Sequence, residues 1–90
     1  QKNAQVPDTA GDIITGLASW YVGTGAASND FPLNTRIRVT NTNNGSFVDT
    51  TVVSTGPFVA GRVVDLSSDD FSTIASLSTG VIPVTVQRVE

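Results

Sequence analysis

Polar and apolar residues alternate over much of the chain, and this period of two predicts β-strands. The clearest segment is Arg36 to Thr42, in which Ile37 and Val39 share one side and polar residues occupy the other. Phe47 to Ser54 predicts the partner strand. Between them lies Asn43-Asn44-Gly45, whose residues tolerate the positive φ that a tight hairpin requires. The pattern therefore predicts an antiparallel hairpin in the middle of the sequence.

Three further segments predict strands, and one predicts a helix. The strands are Gly16 to Val22, Arg62 to Leu66 and Ile82 to Val89. A short helix is expected over about Ser68 to Leu77, because Ser67 suits the N-cap and apolar residues recur behind it at helical spacing. Short strands, tight turns and a single late helix indicate a mainly β protein, and they favour a small barrel.

The beginning of the chain differs from the rest. Gln1 to Asp12 is polar, has no period and contains Pro7, so we expect a flexible N-terminal tail over residues 1–12. Residues 13–90 are then expected to form one domain around one core.

Composition excludes several kinds of chemistry. The chain has no Cys and no His, so disulfides, ordinary zinc sites and Cys–His or Ser–His–Asp catalysis cannot be built from it. The net charge of −3 is spread out, which argues against nucleic-acid binding. No apolar run approaches a membrane span. The chain has few charged residues and many Thr, Ser and Asn residues, a composition common in secreted proteins. We therefore expect an extracellular protein.

Five motifs give the chain a more specific character, and they occur in a fixed order. They are Gly16-Leu17-Ala18-Ser19-Trp20-Tyr21, Phe31-Pro32-Leu33-Asn34-Thr35, Val39-Thr40-Asn41 with Asn44-Gly45, Thr55-Gly56-Pro57-Phe58, and Gly61-Arg62-Val63-Val64-Asp65-Leu66-Ser67. In these motifs the chain resembles the double-psi β-barrel superfamily of rare lipoprotein A-like proteins, barwin-like plant defence proteins and expansin N-terminal domains. The resemblance implies a six-stranded double-psi β-barrel with one short helix.

The same resemblance bears on catalysis. Rare lipoprotein A-like enzymes cleave the glycan strands of peptidoglycan by acid–base chemistry, which needs a positioned carboxyl group. Where the family has its Asp and its His, this sequence has Ser54 and Ser28. A serine hydroxyl does not act as a general acid near neutral pH, so this comparison predicts that the chain is not an enzyme.

Asp65 is the one acid of the family pattern that this sequence keeps. In expansins, the corresponding Asp is tied to non-hydrolytic loosening of the wall, together with a second Asp at the position of Ser54. A local role is also open, because a carboxylate at Asp65 can accept backbone N–H groups near the helix start.

The candidate binding residues follow from the resemblance and from the aromatic pair. They are Ser19, Tyr21, Ser54, Thr55, Gly56, Pro57, Phe58 and Asp65. Phe58 is expected to plug the barrel mouth beneath its loop, and core packing is expected for Trp20. Asp49 is expected to pair across strands with Arg36 or Arg38 on a solvated face.

These observations favour a secreted, non-catalytic binding protein of barwin-like type. It would inhibit secreted hydrolases such as papain-like cysteine proteases, or bind a cell-wall polysaccharide. The alternative is a degenerate lytic transglycosylase, or an expansin-like wall-loosening protein that uses Asp65. We expect a monomer without metal or cofactor, and without nucleic-acid or membrane partners.

Overall fold

The computed structural model describes residues 13–89, which form a closed barrel of six strands. The elements in chain order are β1 (Ile13–Tyr21), β2 (Ala26–Ala27), β3 (Arg36–Asn41), β4 (Phe47–Ser54), β5 (Arg62–Ser67), helix α1 (Ser68–Ser72), a 3-10 turn (Leu77–Thr79) and β6 (Ile82–Arg88). The predicted mainly β barrel with one short helix is thereby confirmed. The expected tail at residues 1–12 lies outside the described residues.

The strands close in the order β1-β5-β2-β4-β3-β6 and then return to β1. Two neighbouring pairs, β1 with β5 and β2 with β4, run parallel. The other neighbours are antiparallel. Parallel neighbours cannot be joined by a tight hairpin, so long connections cross the barrel ends between them. Within the described barrel, closure also leaves no free sheet edge that could pair with another chain.

One cluster of apolar side chains fills the interior. Alternate positions of the strands and the segment after β5 contribute to it. In β3, the exposed-to-buried alternation places Ile37 and Val39 inside, as the sequence pattern predicts. Helix α1 adds Phe71, which is fully buried, and Ile74 follows it. The cluster comprises Ala18, Ala26, Phe31, Ile37, Val39, Val52, Val64, Leu66, Phe71, Ile74, Ile82, Val84 and Val86.

Strand β1 begins three residues earlier than the alternation predicts and ends one residue earlier. Its first residues, Ile13 and Ile14, pair with Gln87 and Val86 of β6. The start of the strand is therefore set by a partner far along the chain, which a local pattern does not reveal. At the other end, Val22 is 87% exposed and has left the sheet.

The helix is shorter than predicted, and a carbonyl that the longer helix would use accepts from side chains of β3 and its turn instead. A longer helix would need the Ile74 carbonyl to accept from the Ser78 N–H. Instead, the side-chain amide of Asn41 donates to that carbonyl at 2.9 Å, and the amide of Asn44 does so at 3.2 Å. The Ser78 N–H donates to the Ser76 hydroxyl, which starts the separate 3-10 turn. The predicted helix over Ser68 to Leu77 is thus wrong beyond Ser72.

Trp20 is half-buried, and it packs against the core cluster. Its indole N–H donates to the Leu77 carbonyl at 3.0 Å, so the ring also ties β1 to the 3-10 turn. The expected core packing of Trp20 therefore holds in part, with one edge of the residue reaching the surface.

The outer face of the β3–β4 hairpin carries a charged pair. Arg38 donates to both carboxylate oxygens of Asp49, at 2.8 and 3.1 Å, and its guanidinium also lies 4.1 Å from the centre of the Phe47 ring. The two charged residues are direct cross-strand partners, as expected. The hydrogen bond from Arg38 is the main cause that lowers the pKa of Asp49.

We therefore expect a pH-dependent contribution of Asp49 to stability. A carboxyl whose pKa is lower in the folded than in the unfolded state stabilises the fold above the unfolded pKa, and this contribution disappears as the pH falls through the folded value. The melting temperature of Asp49→Asn should lie slightly below that of the unchanged protein near neutral pH and converge with it in acid. Thermal melts between pH 7 and pH 3 test this, with Asp30→Asn as the control. A difference that is constant across the pH range would contradict the prediction.

Candidate functional site

Four residues on adjacent strands form a line around the outside of the barrel. Ser19 of β1 is the register partner of Asp65 in β5, Asp65 is the partner of Ala27 in β2, and Ala27 is the partner of Ser54 in β4. Side chains of direct partners point to the same face of a regular ladder, as for Ser19, Asp65 and Ala27. The register shifts between Ala26 and Ala27 where β2 meets β4, and along the row Ala27 is buried while Ser54 is exposed. The flanking residue Leu66 is fully buried inside. We call Ser19, Asp65, Ala27 and Ser54 the outer row.

Asp65 carries the chemistry of this row. The Ser19 hydroxyl donates a hydrogen bond to its carboxylate oxygen Oδ1, and both residues are half-buried. The N-cap of α1 is Ser67, whose side chain accepts from the Asp70 N–H at 3.2 Å. The local role considered for Asp65 at the helix start is therefore carried out by Ser67. The carboxylate of Asp65 faces the outer surface beside a hydroxyl.

Tyr21 extends the site along β1, two residues after Ser19 and on the same face. Its hydroxyl donates to the Thr24 carbonyl at 2.6 Å. The pKa of Tyr21 is raised, first by partial burial and then by the negative charges of Asp65 and Asp70. The phenol therefore stays a neutral donor through the physiological range. Asp70 also becomes part of the surroundings of the site, although the sequence indicated only a helix-start charge there.

The loop after β4 projects from the end of the outer row. Asn29 holds it with two hydrogen bonds: its amide donates to the Pro57 carbonyl and its oxygen accepts from the Gly56 N–H, both at 2.9 Å. The Gly56–Pro57 peptide is cis, and Gly56 has a φ of +117°. Phe58 is 83% exposed. The expectation that Phe58 plugs the barrel mouth is therefore wrong, because the braced loop turns its ring to solvent.

The two serines at the family's Asp and His positions are neighbours in space. The Ser28 N–H donates to the Ser54 carbonyl at 3.1 Å. Ser28 itself is buried, and its hydroxyl donates to the Val63 carbonyl and accepts from the Asp30 N–H. Ser54 is exposed. The fold thus brings the two positions together, and the Ser28 side chain serves the structure of the loop.

The structure gathers the predicted residues into two adjoining parts. Ser19, Tyr21 and Asp65 form a polar cluster on β1 and β5, and the exposed residues Ser54 and Thr55 lead from β4 into the Phe58 loop. The sequence reasoning did not identify Asn29, which holds the loop. The polar run Ser28-Asn29-Asp30 could have indicated it, because Asn side chains commonly bond to nearby backbone in such runs.

Metal ligands and membrane spans have no candidates in the described part of the chain. Within residues 13–89, no group of three or more His, Cys, Asp or Glu residues is placed to hold a metal ion. No helix of that range is long and apolar enough to cross a bilayer.

The strand order and the two parallel strand pairs are those of a double-psi β-barrel, and the site lies on its outer row. Residues 13–86 match the family described as lytic transglycolase, and the chain belongs to that family. Two curated relatives agree. A probable endolytic peptidoglycan transglycosylase RlpA of Nostoc is 42% identical over 69% of this chain, and the endolytic peptidoglycan transglycosylase RlpA of Campylobacter jejuni is 35% identical over 88% of it. The chain spans 17% and 35% of their lengths.

Solved structures show the same fold. A point mutant of a Clavibacter michiganensis expansin, in complex with cellohexaose, superposes with a TM-score of 0.72 at 18% identity, and the match covers 87% of this chain and 50% of the expansin. A Streptomyces papain inhibitor superposes with a TM-score of 0.73 at 22% identity, and that match covers 90% of this chain and 97% of the inhibitor.

The prediction that the chain is not an enzyme is contradicted by the curated relatives, several of which are named endolytic peptidoglycan transglycosylases. It rested on treating Ser54 and Ser28 as proof that the chemistry is lost. That inference gave too little weight to Asp65, which the sequence retains and which lies two strands from Ser54 on the outer row.

Proposed function

We propose that this chain acts on the glycan strands of peptidoglycan by glycosyl transfer, with Asp65 as the reacting carboxyl group. The observation that carries the proposal is the Ser19–Asp65 pair on the outer row. It offers a half-buried carboxyl group, oriented by a hydroxyl, on a surface that an extended polymer can reach. The names of the curated relatives supply the substrate class. Such a protein would work outside the cytoplasmic membrane, in the envelope or secreted.

One carboxyl group is sufficient for transfer between sugar oxygens. Asp65 would give a proton to the oxygen that leaves the anomeric carbon, while the glycosidic bond breaks. The resulting carboxylate would then take the proton from the sugar hydroxyl that forms the new bond to that carbon. The carboxyl group returns to its first state, and no water is consumed. Ser19 would hold the carboxyl group in place during both steps.

The remainder of the row favours transfer over hydrolysis. Hydrolysing glycosidases commonly use a pair of carboxyl groups that face each other across the bond. The residues beside Asp65 on the outer row are Ala27 and Ser54, which are neither acids nor bases. Tyr21 would accept a hydrogen bond from a sugar hydroxyl, because its own O–H is donated to the Thr24 carbonyl and its raised pKa keeps the phenol neutral.

The test uses purified, insoluble peptidoglycan and the whole chain. We expect soluble glycan fragments to appear with time, ending in non-reducing anhydro sugars or in transferred glycan rather than in new reducing ends. Chitin, treated in parallel, tests whether the chain requires peptidoglycan as its substrate. Retention on peptidoglycan with no soluble product at any enzyme concentration would refute glycosyl transfer, and a wall-loosening action would then be the function to pursue.

A second function, inhibition of papain-like proteases, is favoured by the braced loop. Phe58 stands 83% exposed, with Val53 and Val59 about half exposed on either side at 47% and 56%. Two bonds from Asn29 hold the loop, so little chain entropy would be lost when it enters a protease cleft. The structural likeness to a papain inhibitor along nearly its whole length fits this candidate.

If the loop inhibits papain, Phe58→Ala should weaken inhibition by at least about tenfold, since a buried aromatic anchor commonly contributes about 2 kcal/mol or more to an interface. A papain titration measures the inhibition constant. Phe47→Ala is the matched control, because Phe47 is also exposed, at 52%, on the far hairpin. Equal inhibition by both variants, or none by the unchanged chain, would remove this candidate.

A further inference from the structure

The loop between β1 and β2, residues 22–25, holds the ring of Tyr21. The ring lies directly on Gly23: a Cβ atom added at Gly23 would stand 2.9 Å from the Cδ2 atom of Tyr21 and closer still to its Cε2 atom. Cβ atoms in proteins essentially never approach other atoms this closely. The φ of Gly23 lies outside the left-handed region, so its backbone would accept a side chain. The position of the Tyr21 ring is therefore what requires glycine at this place.

The same loop fixes the proton of the Tyr21 hydroxyl. The hydroxyl donates to the backbone carbonyl of Thr24 at 2.6 Å. A carbonyl oxygen can only accept, so the phenol proton is committed to this bond and the phenol oxygen offers a ligand only its lone pairs. A phenol that rotated freely could donate or accept, whereas Tyr21 in this loop can only accept. The loop therefore decides which hydrogen bond Tyr21 can make with a ligand.

The far end of the loop is anchored to the barrel, which keeps the Thr24 carbonyl in place. The Gly25 carbonyl accepts from the Ser67 N–H at 3.0 Å, and Ser67 is the register partner of Tyr21. Gly25 has a φ of +68°, and a Cβ atom there would stand 2.8 Å from the Thr51 carbonyl oxygen of β4. The loop thus leaves β1 at Tyr21 and returns to that residue's own register partner.

The groups around the Tyr21 oxygen are also acceptors. The negative charges of Asp65 and Asp70 both act on the phenol. Ser19 lies two residues before Tyr21 on the same face, about 7 Å along the strand, and its hydroxyl proton is donated to Asp65. A ligand group that meets this part of the site must therefore donate. On a wall glycan, such a group is a sugar hydroxyl or the N–H of an acetamido group.

We propose that Gly23 is a positioning residue for glycosyl transfer, which holds the phenol oxygen of Tyr21 as a fixed acceptor for a donor group on the sugar beside Asp65. The inference rests on the proposed function and deepens it. Tyr21 makes the contact with the sugar, and Gly23 acts only through Tyr21. A side chain at position 23 would move the ring, and the acceptor with it. The barrel would keep its packing, because the ring is the far end of a side chain on the outer face.

The first measurement is an ultraviolet titration of the phenol. Tyr21 is the single tyrosine of the chain, so the absorbance of tyrosinate reports this residue alone. Its pKa is raised, first by partial burial. Gly23→Ala should lower that pKa towards the ordinary value of about 10, because the displaced ring is more exposed and has lost the Thr24 carbonyl. Val22→Ala is the matched control in the same loop. It shortens a side chain that is 87% exposed, and it should leave the pKa unchanged.

The second measurement is the rate at which the whole chain releases fragments from peptidoglycan. Tyr21→Phe leaves the ring on Gly23 and removes only the acceptor, and it should slow release about threefold to tenfold, the range for one hydrogen bond. Gly23→Ala should slow release by a similar factor. The double variant should be no slower than either single variant, because both changes remove the same bond. Val22→Ala should release fragments at the parental rate.

Three results would overturn this inference while leaving the proposed function intact. They are a parental rate for Tyr21→Phe, an unchanged phenol pKa in Gly23→Ala, and an equal slowing by Gly23→Ala with and without the Tyr21 hydroxyl, which would indicate a structural role. Thermal melts report folding, and if Gly23→Ala melts early, Tyr21→Phe alone decides, since it adds no atom. An unchanged chain that releases no fragments would overturn the proposed function and this role of Tyr21 with it.

Discussion

Replacing Asp65 with asparagine is expected to reduce the release of soluble fragments from peptidoglycan by about a hundredfold or more, which is the usual contribution of a general acid–base group. Asparagine has the same shape and can still accept the hydrogen bond from Ser19, so the fold and the surface remain. It can neither give a proton to the leaving oxygen nor take one from the attacking hydroxyl. The rate of fragment release, measured by separating the soluble products, reports the change directly.

Asp69→Asn is the control for this substitution. Asp69 is an exposed residue in the first turn of α1, four residues after Asp65, and its removal changes the net charge by the same amount. Its activity should match that of the unchanged protein. Thermal melts of both variants should be close to the parent. If Asp65→Asn released fragments at the parental rate while folded, the role assigned to Asp65 would be wrong.

The largest loss of stability is expected from Phe71→Ala. Phe71 is fully buried in the core cluster, where the short helix places it over the barrel interior. Removing most of a buried aromatic side chain typically costs about 3–5 kcal/mol, from lost burial and from the cavity that remains. Domains of this size are stable by only about 5–15 kcal/mol in total. The substitution should therefore lower the free energy of unfolding by a large fraction of its total.

Denaturant titration measures this loss, as a lower midpoint with a similar slope. Phe58→Ala is the matched control, since the same atoms are removed from a ring that is 83% exposed, and it should cost well under about 1 kcal/mol. Phe71→Leu keeps most of the volume and should fall between them. Equal midpoints for the two alanine variants would contradict the burial on which the core is built.

The elements that sequence reasoning predicted well depend on residues close together in the chain. The hairpin is one example: the Gly45 N–H donates to the Asn41 carbonyl at 2.8 Å, and Gly45 has the positive φ expected of such a turn. The Ser67 cap of α1 is another, because its hydroxyl reaches the N–H only three residues ahead. Alternation over a few residues likewise predicted which side of β3 is buried.

The errors arose where a distant residue intervened. The helix ends at Ser72, and Asn41, 33 residues before Ile74, donates to a carbonyl that the longer helix would use. Strand β1 starts early because β6 pairs with its first residues. Phe58 faces solvent because Asn29, two loops earlier, holds the backbone of its turn. Each of these contacts joins segments that no local window contains.

The candidate site shows the same division. Its residue types could be listed from the motifs, and Asp65 was among them with two open roles. The pairing of Ser19 with Asp65 joins residues 46 positions apart, and the outer row adds β2 and β4 to that pair.

By itself, the sequence determined five of the six strands, the hairpin turn and the helix cap, because alternation, positive-φ residues and capping side chains act over a few residues. The barrel class followed from the resemblance carried by five ordered motifs, and the two-residue strand β2 was not predicted. The tertiary structure decided which of those elements touch. Strand register brought Asp65 to Ser19 and placed Ser54 and Ser28 side by side, and the two hydrogen bonds of Asn29 hold the loop that leaves Phe58 exposed. Closing a barrel fixes every strand against two neighbours at once, and that constraint acts between residues too far apart for any local pattern to record.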